Sequence, residues 1–506
     1  MLSLTIYISF IGAIVVAMLP AKPARMSRIL ALMVAVAGLV VAVVGYVADF
    51  GKGLVVLADK AWVPSMGIHF LLAADGISRT LVLLTGLAAV AGVLFSWNIE
   101  LRTNEFFAFF LALIGGVYGV FLSFDLFLLF VFYEIAIVPK YFLIAIWGST
   151  RREYAAMKLA LYSFVGSAMV LIGLLAAYAT SGSHSTSLIA LHAAGHSGGL
   201  PVSFQMWCFP LVFIGFGILA GMWPFHTWAP TGHVAAPTAA SMLLAGVVMK
   251  LGAYGCLRVA MTVFPHGLDP WGWSLMGIGS WRTVFALLAV IGIVYGAAVA
   301  LVQNDFKFVI GYSSVSHMGL VLLGLMTLTQ VGLDGAVLQM FSHGVLAGLL
   351  FAVVGCIVYE RTHTRDLGVL GKLNLGKRLP FAAVVFILAG MASMGLPGFS
   401  GFVAELQVLM GAWQAFPWFA VVAGVGLVVG VAYTWRALQK VFLSDAPAAV
   451  VEESHPDYAP ISWAEWAGVL LLTGTSLLVG LMPRLLLDVI TPAVQALPHI
   501  LVAGGR

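Results

Sequence analysis

Long apolar runs separated by short polar interruptions fill nearly the whole 506-residue chain. A run of about 20 apolar residues spans a bilayer as a helix, and about fourteen such runs are present. They fall near 2–20, 28–48, 78–98, 105–123, 124–147, 156–180, 204–223, 238–263, 281–302, 308–328, 332–358, 380–410, 415–443 and 461–483. The first run has no basic region before it and no small-residue cleavage pattern after it, so it reads as a retained helix rather than a signal peptide. Only closed hydrogen-bonding patterns survive in hydrocarbon. The pattern therefore predicts an all-α polytopic membrane protein with about fourteen transmembrane helices. Two segments, 49–77 and the Gly/Ser/His-rich 181–203 (SGSHSTSLIALHAAGHSGGLPVS), read as loops, and APAAVVEESHPDYAP (446–460) reads as a linker.

Two runs are interrupted in a similar way. GMWPFHTWAPTGHVAAPT (221–238) follows span 7 and carries Pro224, His226 and His233; ASMGLPGFSGFVAEL (392–406) cuts span 12 at Pro397. Backbone groups freed by Pro and Gly at membrane depth must be satisfied by protein or by water in a cavity, so broken helices here mark a pathway. Corresponding breaks five spans apart suggest two inverted five-helix repeats. The expected organisation is helices 1–3 in 1–103, a first repeat of helices 4–8 in 104–263, a second of helices 9–13 in 277–443, and linker, helix 14 and tail in 444–506.

Composition agrees: 62% of residues are hydrophobic and 9% charged, with a mean hydropathy of +1.07, far outside the soluble range. The net charge of +4 reflects topology and implies no nucleic-acid partner. Alternate connections hold 15 Lys and Arg, among them Arg102, Arg151, Lys307 and Arg361, against 7 on the opposite side. The positive-inside rule then puts both termini outside. Cys208, Cys256 and Cys356 lack metal-ligand spacing and read as small apolar residues. His184, His192 and His196 have no carboxylate or Cys partner in sequence and read as a solvated loop.

The remaining charges are the informative ones. Glu134 and Lys140 in FYEIAIVPKYF, Lys250, His317, His343 and Glu405 lie inside spans, where an ionisable residue is costly and marks a functional site by default. Burial and neighbouring charges can tune the proton affinity of such groups, so alternating carboxylate, lysine and histidine fits a proton path. Structural readings stand beside this: Glu134 or Lys250 as partner of a neighbouring helix, either histidine as a hydrogen-bonded packing residue. Asp305 and Lys307 in QNDFKF read as an exposed ion pair at a helix end. No nucleotide loop, thiolate cluster or catalytic triad is present, which excludes redox and covalent catalysis in this chain.

WPFHTWAPTGHVAAPTAASMLLAGVVMKLGAYG, NDFKFVIGYSSVSHMGLVLLG, FSHGVLAGLLFAVVGCIVYERTHTRDLGVLGKL and SMGLPGFSGFVAEL together resemble the antiporter-like subunits of proton-pumping NADH:quinone oxidoreductase, respiratory complex I. The YERTHTRDLG segment favours the chain M, or subunit 4, type. The resemblance implies a translocase subunit with Glu134 as the inlet-side carboxylate, Lys250 as the central lysine, His317 and His343 as relay groups and Glu405 on the exit side. It further implies that NADH, FMN, iron–sulfur clusters and quinone are held by partner subunits and that this chain binds none. Its partners would be neighbouring antiporter-like chains of the membrane arm and the lipid of a bacterial inner membrane. Other proteins sharing these motifs belong to multi-subunit cation/proton antiporters, and to membrane arms of hydrogenases or inorganic-carbon uptake complexes.

Two positions depart from the pattern. Leu219 stands where these subunits usually carry a helix 7 lysine paired with the helix 5 glutamate, and Thr231 stands in place of an aspartate. Lys140 is the candidate replacement. Six residues advance a helix by about 600°, leaving Glu134 and Lys140 roughly 120° apart, but Pro139 can kink the helix between them and bring both to one cavity.

Overall fold

The computed structural model describes residues 1–20, 22–48, 53–272, 274, 277–444 and 458–497; most of the 446–460 linker lies outside them. Among the described residues, twelve helices are long and apolar enough to cross a membrane, and Leu4–Met18 and Pro380–Ser393 are shorter apolar helices. The expected fourteen runs thus resolve into twelve full-length helices and two short ones. Leu4–Met18 gives way to extended backbone at Leu19, directly ahead of Pro20, whose ring disfavours helical backbone there; Pro380–Ser393 ends before Gly395, whose φ of 77° breaks the helix.

Helix starts follow the chemistry of the preceding residue. Asp125 accepts from the amides of Phe127 and Leu128 at the head of Leu126–Trp147. Asp305 does the same for Lys307 and Phe308 in front of Phe306–Thr327. Ser462 and Glu465 form a reciprocal capping box at Trp463–Leu481. These side chains satisfy amide groups that the first turn leaves without helical partners.

The all-α expectation holds except in 49–77, where Val55–Val63 pairs antiparallel with Ile68–Ala74 in a two-stranded hairpin. VVLADKAWV is rich in strand formers. The chain reverses through Pro64–Met66 and Gly67, whose φ of 62° suits glycine; a Cβ there would sit 1.8 Å from the His184 carbonyl oxygen. The expected loop at 181–203 also differs, since Leu188–Ser197 is a helix. Leu and Ala dominate its interior, and Gly and Ser collect only at its ends. His192 and His196 stand one turn apart with Nε2 atoms 3.0 Å from each other. Among the described residues no group of three metal-ligating side chains occurs.

Two helices form the centre. Thr238–Val263 and Gln330–Thr362 are buried by protein along their whole apolar windows, whereas Ala24–Val47 and Pro417–Phe442 are only 28% buried and face outward. A helix surrounded by other helices can carry a polar residue at membrane depth without presenting it to lipid. Lys250 and His343 lie on this central pair.

Candidate functional site: a buried line of titratable side chains

Thr238–Val263 widens into π turns at Leu244–Val248 and Cys256–Ala260, on either side of Lys250. Such turns disturb the regular ladder and recur at functional sites. The Lys250 side chain is fully buried. Its ammonium donates to the Ala245 carbonyl and lies 2.8 Å from His343 Nδ1, so that nitrogen accepts whenever the lysine is charged.

The line continues from there. The His343 and His317 rings are stacked, with centroids 5.3 Å apart and planes within 23°. His317 Nδ1 is 3.4 Å from Glu405 Oε1 and 3.3 Å from Gln339 Nε2, while its Nε2 is 3.4 Å from Ser393 Oγ. Lys250, His343, His317 and Glu405 come from four helices and form one contiguous series. A cavity of about 10 Å³ borders His317, Ser393 and Glu405, at the lower limit for one water.

Glu405 is placed by the interruption before its helix. Pro380–Ser393 ends, Ser400–Ala415 begins, and Gly395 and Gly398 between them have φ of 77° and 100°. A Cβ on Gly395 would lie 2.6 Å from Glu405 Oε2, so glycine is needed there for both its backbone angle and the close approach of the carboxylate. Pro397 occupies the same segment. Pro224 occupies the corresponding segment between Val202–Ala220 and Trp228–Ala235. Next to it, the His226 ring stands edge-on to Tyr295 at 5.0 Å. His233 is fully buried, stacks on Phe351 at 4.9 Å, and neither of its ring nitrogens meets hydrogen-bond geometry.

The remaining two predicted residues stand apart from this line. Glu134 is half-buried, its carboxylate lies beside Ser167 of the next helix, and its Oε1 has no hydrogen-bond partner. Lys140 is 1% exposed, and its ammonium has none either. Pro139 lies within an otherwise continuous Leu126–Trp147 helix, and the two charges do not form an ion pair. Lys140 shares a helix face with Ala136, which packs closely on Gly116 of Thr103–Leu122. Leu219 is buried on a helix that meets the Glu134 helix: Phe216, one turn earlier, packs edge-on against Tyr133 at 5.6 Å. At the Thr231 position a cation is nearby after all, since Lys158 Nζ is 3.4 Å from its hydroxyl.

The exposed Asp305–Lys307 pair expected from sequence is not formed. Asp305 pairs with Arg365 at 3.3 Å, and Lys307 is 2% exposed, with Nζ 3.1 Å from the Ala236 carbonyl. Its place in a first helical turn suggested solvent; segments more than 50 residues away in sequence, around Ala236 and Tyr359, cover it. A buried ion pair between Arg258 and Asp75 also went unread, because Asp75 sits in a run taken as loop.

A family profile described as NADH:quinone oxidoreductase/Mrp antiporter, transmembrane, matches residues 123–430. The chain is 37% identical to the NADH-quinone oxidoreductase subunit M of Rhodobacter capsulatus over 88% of its own length and 85% of that protein. It is 39% identical to an NAD(P)H-quinone oxidoreductase chain 4 1 of Synechococcus sp. (strain JA-3-3Ab), over 91% and 86% of the two chains. In three dimensions it superposes on a chain of respiratory complex I from Thermus thermophilus with a TM-score of 0.87, at 27% identity, covering 99% of this chain and all of that one.

Proposed function

The chain belongs to the NADH:quinone oxidoreductase/Mrp antiporter transmembrane family, and from that premise we propose that it is the proton-translocating subunit M of an NADH:quinone oxidoreductase. The observation that carries this reading is the contiguous series Lys250, His343, His317, Glu405, the first three on helices largely buried by protein and Glu405 itself buried. Lysine and imidazole exchange protons through the same nitrogen atoms that here face one another. A proton on Lys250 passes to His343, then to His317 and to Glu405; Lys250 is reset by taking up the next proton, Glu405 by releasing its own to the exit side, and each histidine, left as its other tautomer, by a turn of its ring. The protein supplies position and electrostatics. Electrons pass through NADH, FMN, iron–sulfur clusters and quinone held by partner subunits, and the energy reaches this chain through contacts with neighbouring membrane-arm chains.

In this reading both termini lie on the outer side of a bacterial inner membrane, and the loops carrying Arg102, Arg151 and Arg361 lie inside. Replacing Glu405 with Gln keeps the shape and removes the ionisable group. In the intact complex reconstituted in liposomes, the expected result is fewer protons moved per electron pair with NADH oxidation retained. An unchanged proton-to-electron ratio would overturn the role of Glu405.

Glu134 and Lys140 form the other part of the proposed machinery. Each holds a buried polar atom without a partner, an arrangement that a purely structural role does not favour. Lys140 supplies, from helix 5 itself, the cation absent at Leu219. Lys140→Met is expected to lower the proton-to-electron ratio, and Leu219→Lys added to it to restore part of the loss. Unaltered pumping by Lys140→Met would remove Lys140 from the mechanism.

A further inference from the structure

The line from Lys250 to Glu405 has an outlet side but needs a source of protons, and the structure offers one that does not pass Glu134. A cavity of about 190 Å³ lies among the basic loops and is lined by Ser149, Thr238, Lys307, Tyr359 and Glu360, with room for several waters at roughly 10–15 Å³ each. Lys307 forms part of its wall. Its ammonium rests on the carbonyl of Ala236, at the C-terminal end of the short Trp228–Ala235 helix, where the helix dipole favours a cation; among the described residues no carboxylate forms an ion pair with it.

His233 stands behind Lys307. It precedes by three residues Ala236, whose carbonyl holds the Lys307 ammonium, and its ring lies on Phe351 of the helix that carries His343, the contact of Lys250. Its ring nitrogens are buried and lack hydrogen bonds of good geometry, while Phe351 holds the ring plane. The cavity wall holds Lys307, the Ala236 contact sets Lys307 beside the short helix that carries His233, and Phe351 sets His233 against the central helix that carries His343.

We propose that protons reach Lys250 from the basic-loop face through this cavity, by way of Lys307 and His233, while Glu134 and Lys140 act on the line through their charges and carry none of its protons. The inference rests on the reading of the chain as a proton translocator. A hydronium ion in the cavity gives its proton to the neutral Lys307 amine. The resulting ammonium gives one to the nearer imidazole nitrogen of His233, whose other nitrogen releases its proton to the neutral Lys250 amine. One proton has moved, Lys307 is neutral again, and His233 is left as its other neutral tautomer, which a turn of the ring about its own axis resets before the next proton.

The test uses the intact complex in liposomes, with NADH oxidation and proton transport followed together. Lys307→Met, Lys307→Arg and His233→Phe are expected to lower the proton-to-electron ratio to the value given by Lys250→Met, with electron transfer retained. Arginine is the discriminating substitution, because it keeps the charge and the contact with Ala236 but cannot release a proton. A wild-type ratio in Lys307→Arg would make Lys307 a structural cation and overturn the inlet. A loss confined to Lys250→Met, with both His233→Phe and Lys307→Met pumping normally, would also overturn it while leaving translocation intact. A wild-type ratio in Lys250→Met would overturn translocation through this line, and the inlet with it. Should Lys307→Met fail to assemble, Lys307→Arg and His233→Phe decide.

Discussion

Lys250→Met is expected to assemble normally and to abolish this chain's share of proton transport. Methionine matches the length of the lysine stem, and removing a fully buried ammonium removes its desolvation cost, so folding should not suffer. What is lost is the donor 2.8 Å from His343 Nδ1. Loss of a positioned acid–base group slows proton transfer by about 10²–10⁴-fold. Against turnover of the whole complex such a step is closed. The measured quantity is the proton-to-electron ratio in liposomes, which should fall while NADH oxidation continues. Lys250→Arg sharpens the result: it preserves charge but not a releasable proton, and should pump no better than methionine. A normal ratio in either variant would show that protons do not pass through position 250.

The positions of the buried charges were legible because burial makes them conspicuous. Lys250, His317, His343 and Glu405 stand out in an apolar background, and the structure joins them. Their order of contact was not legible, since residues 93 apart in sequence make the Lys250–His343 contact, and no single-chain periodicity encodes such a meeting. Lys307 was misread for the same reason: its local context is a helix start, and its burial comes from distant segments. The hairpin was hidden because its strand formers are mixed with Asp59, Lys60 and Pro64, residues typical of loops. The C-terminal helix Arg484–Gln495 was likewise taken as tail. Too short to span, it lies against the start of Gly76–Leu94, with the Val489 carbonyl packed against Gly76, and is pinned by Thr491 donating to Asp334 at 2.8 Å.

Asp75→Ala should be the most destabilising single substitution outside the proton line. The carboxylate has two tasks. One oxygen accepts from the Ser78 amide at 2.9 Å and caps Gly76–Leu94; the other meets the buried guanidinium of Arg258, whose charge also lies over the rings of Phe124 and Tyr254. Losing a cap costs about 1 kcal/mol, and stranding one member of a buried ion pair costs about 3–5 kcal/mol. The adjoining cavity of about 190 Å³, lined by Asp75, Arg258 and Thr262, gives water access to the guanidinium and places the ion-pair loss near the lower end of that range. Thermal denaturation of the purified complex should therefore show this chain dissociating or unfolding at a clearly lower temperature. Asp75→Asn, which keeps an oxygen for the cap, should lose less. Combining Asp75→Ala with Arg258→Met removes the stranded charge and should recover most of the stability, leaving chiefly the missing cap. If the double variant proves as unstable as Asp75→Ala alone, the cost lies in the cap and the packing around it, and the ion pair is not what holds the hairpin end of the chain to its central helix.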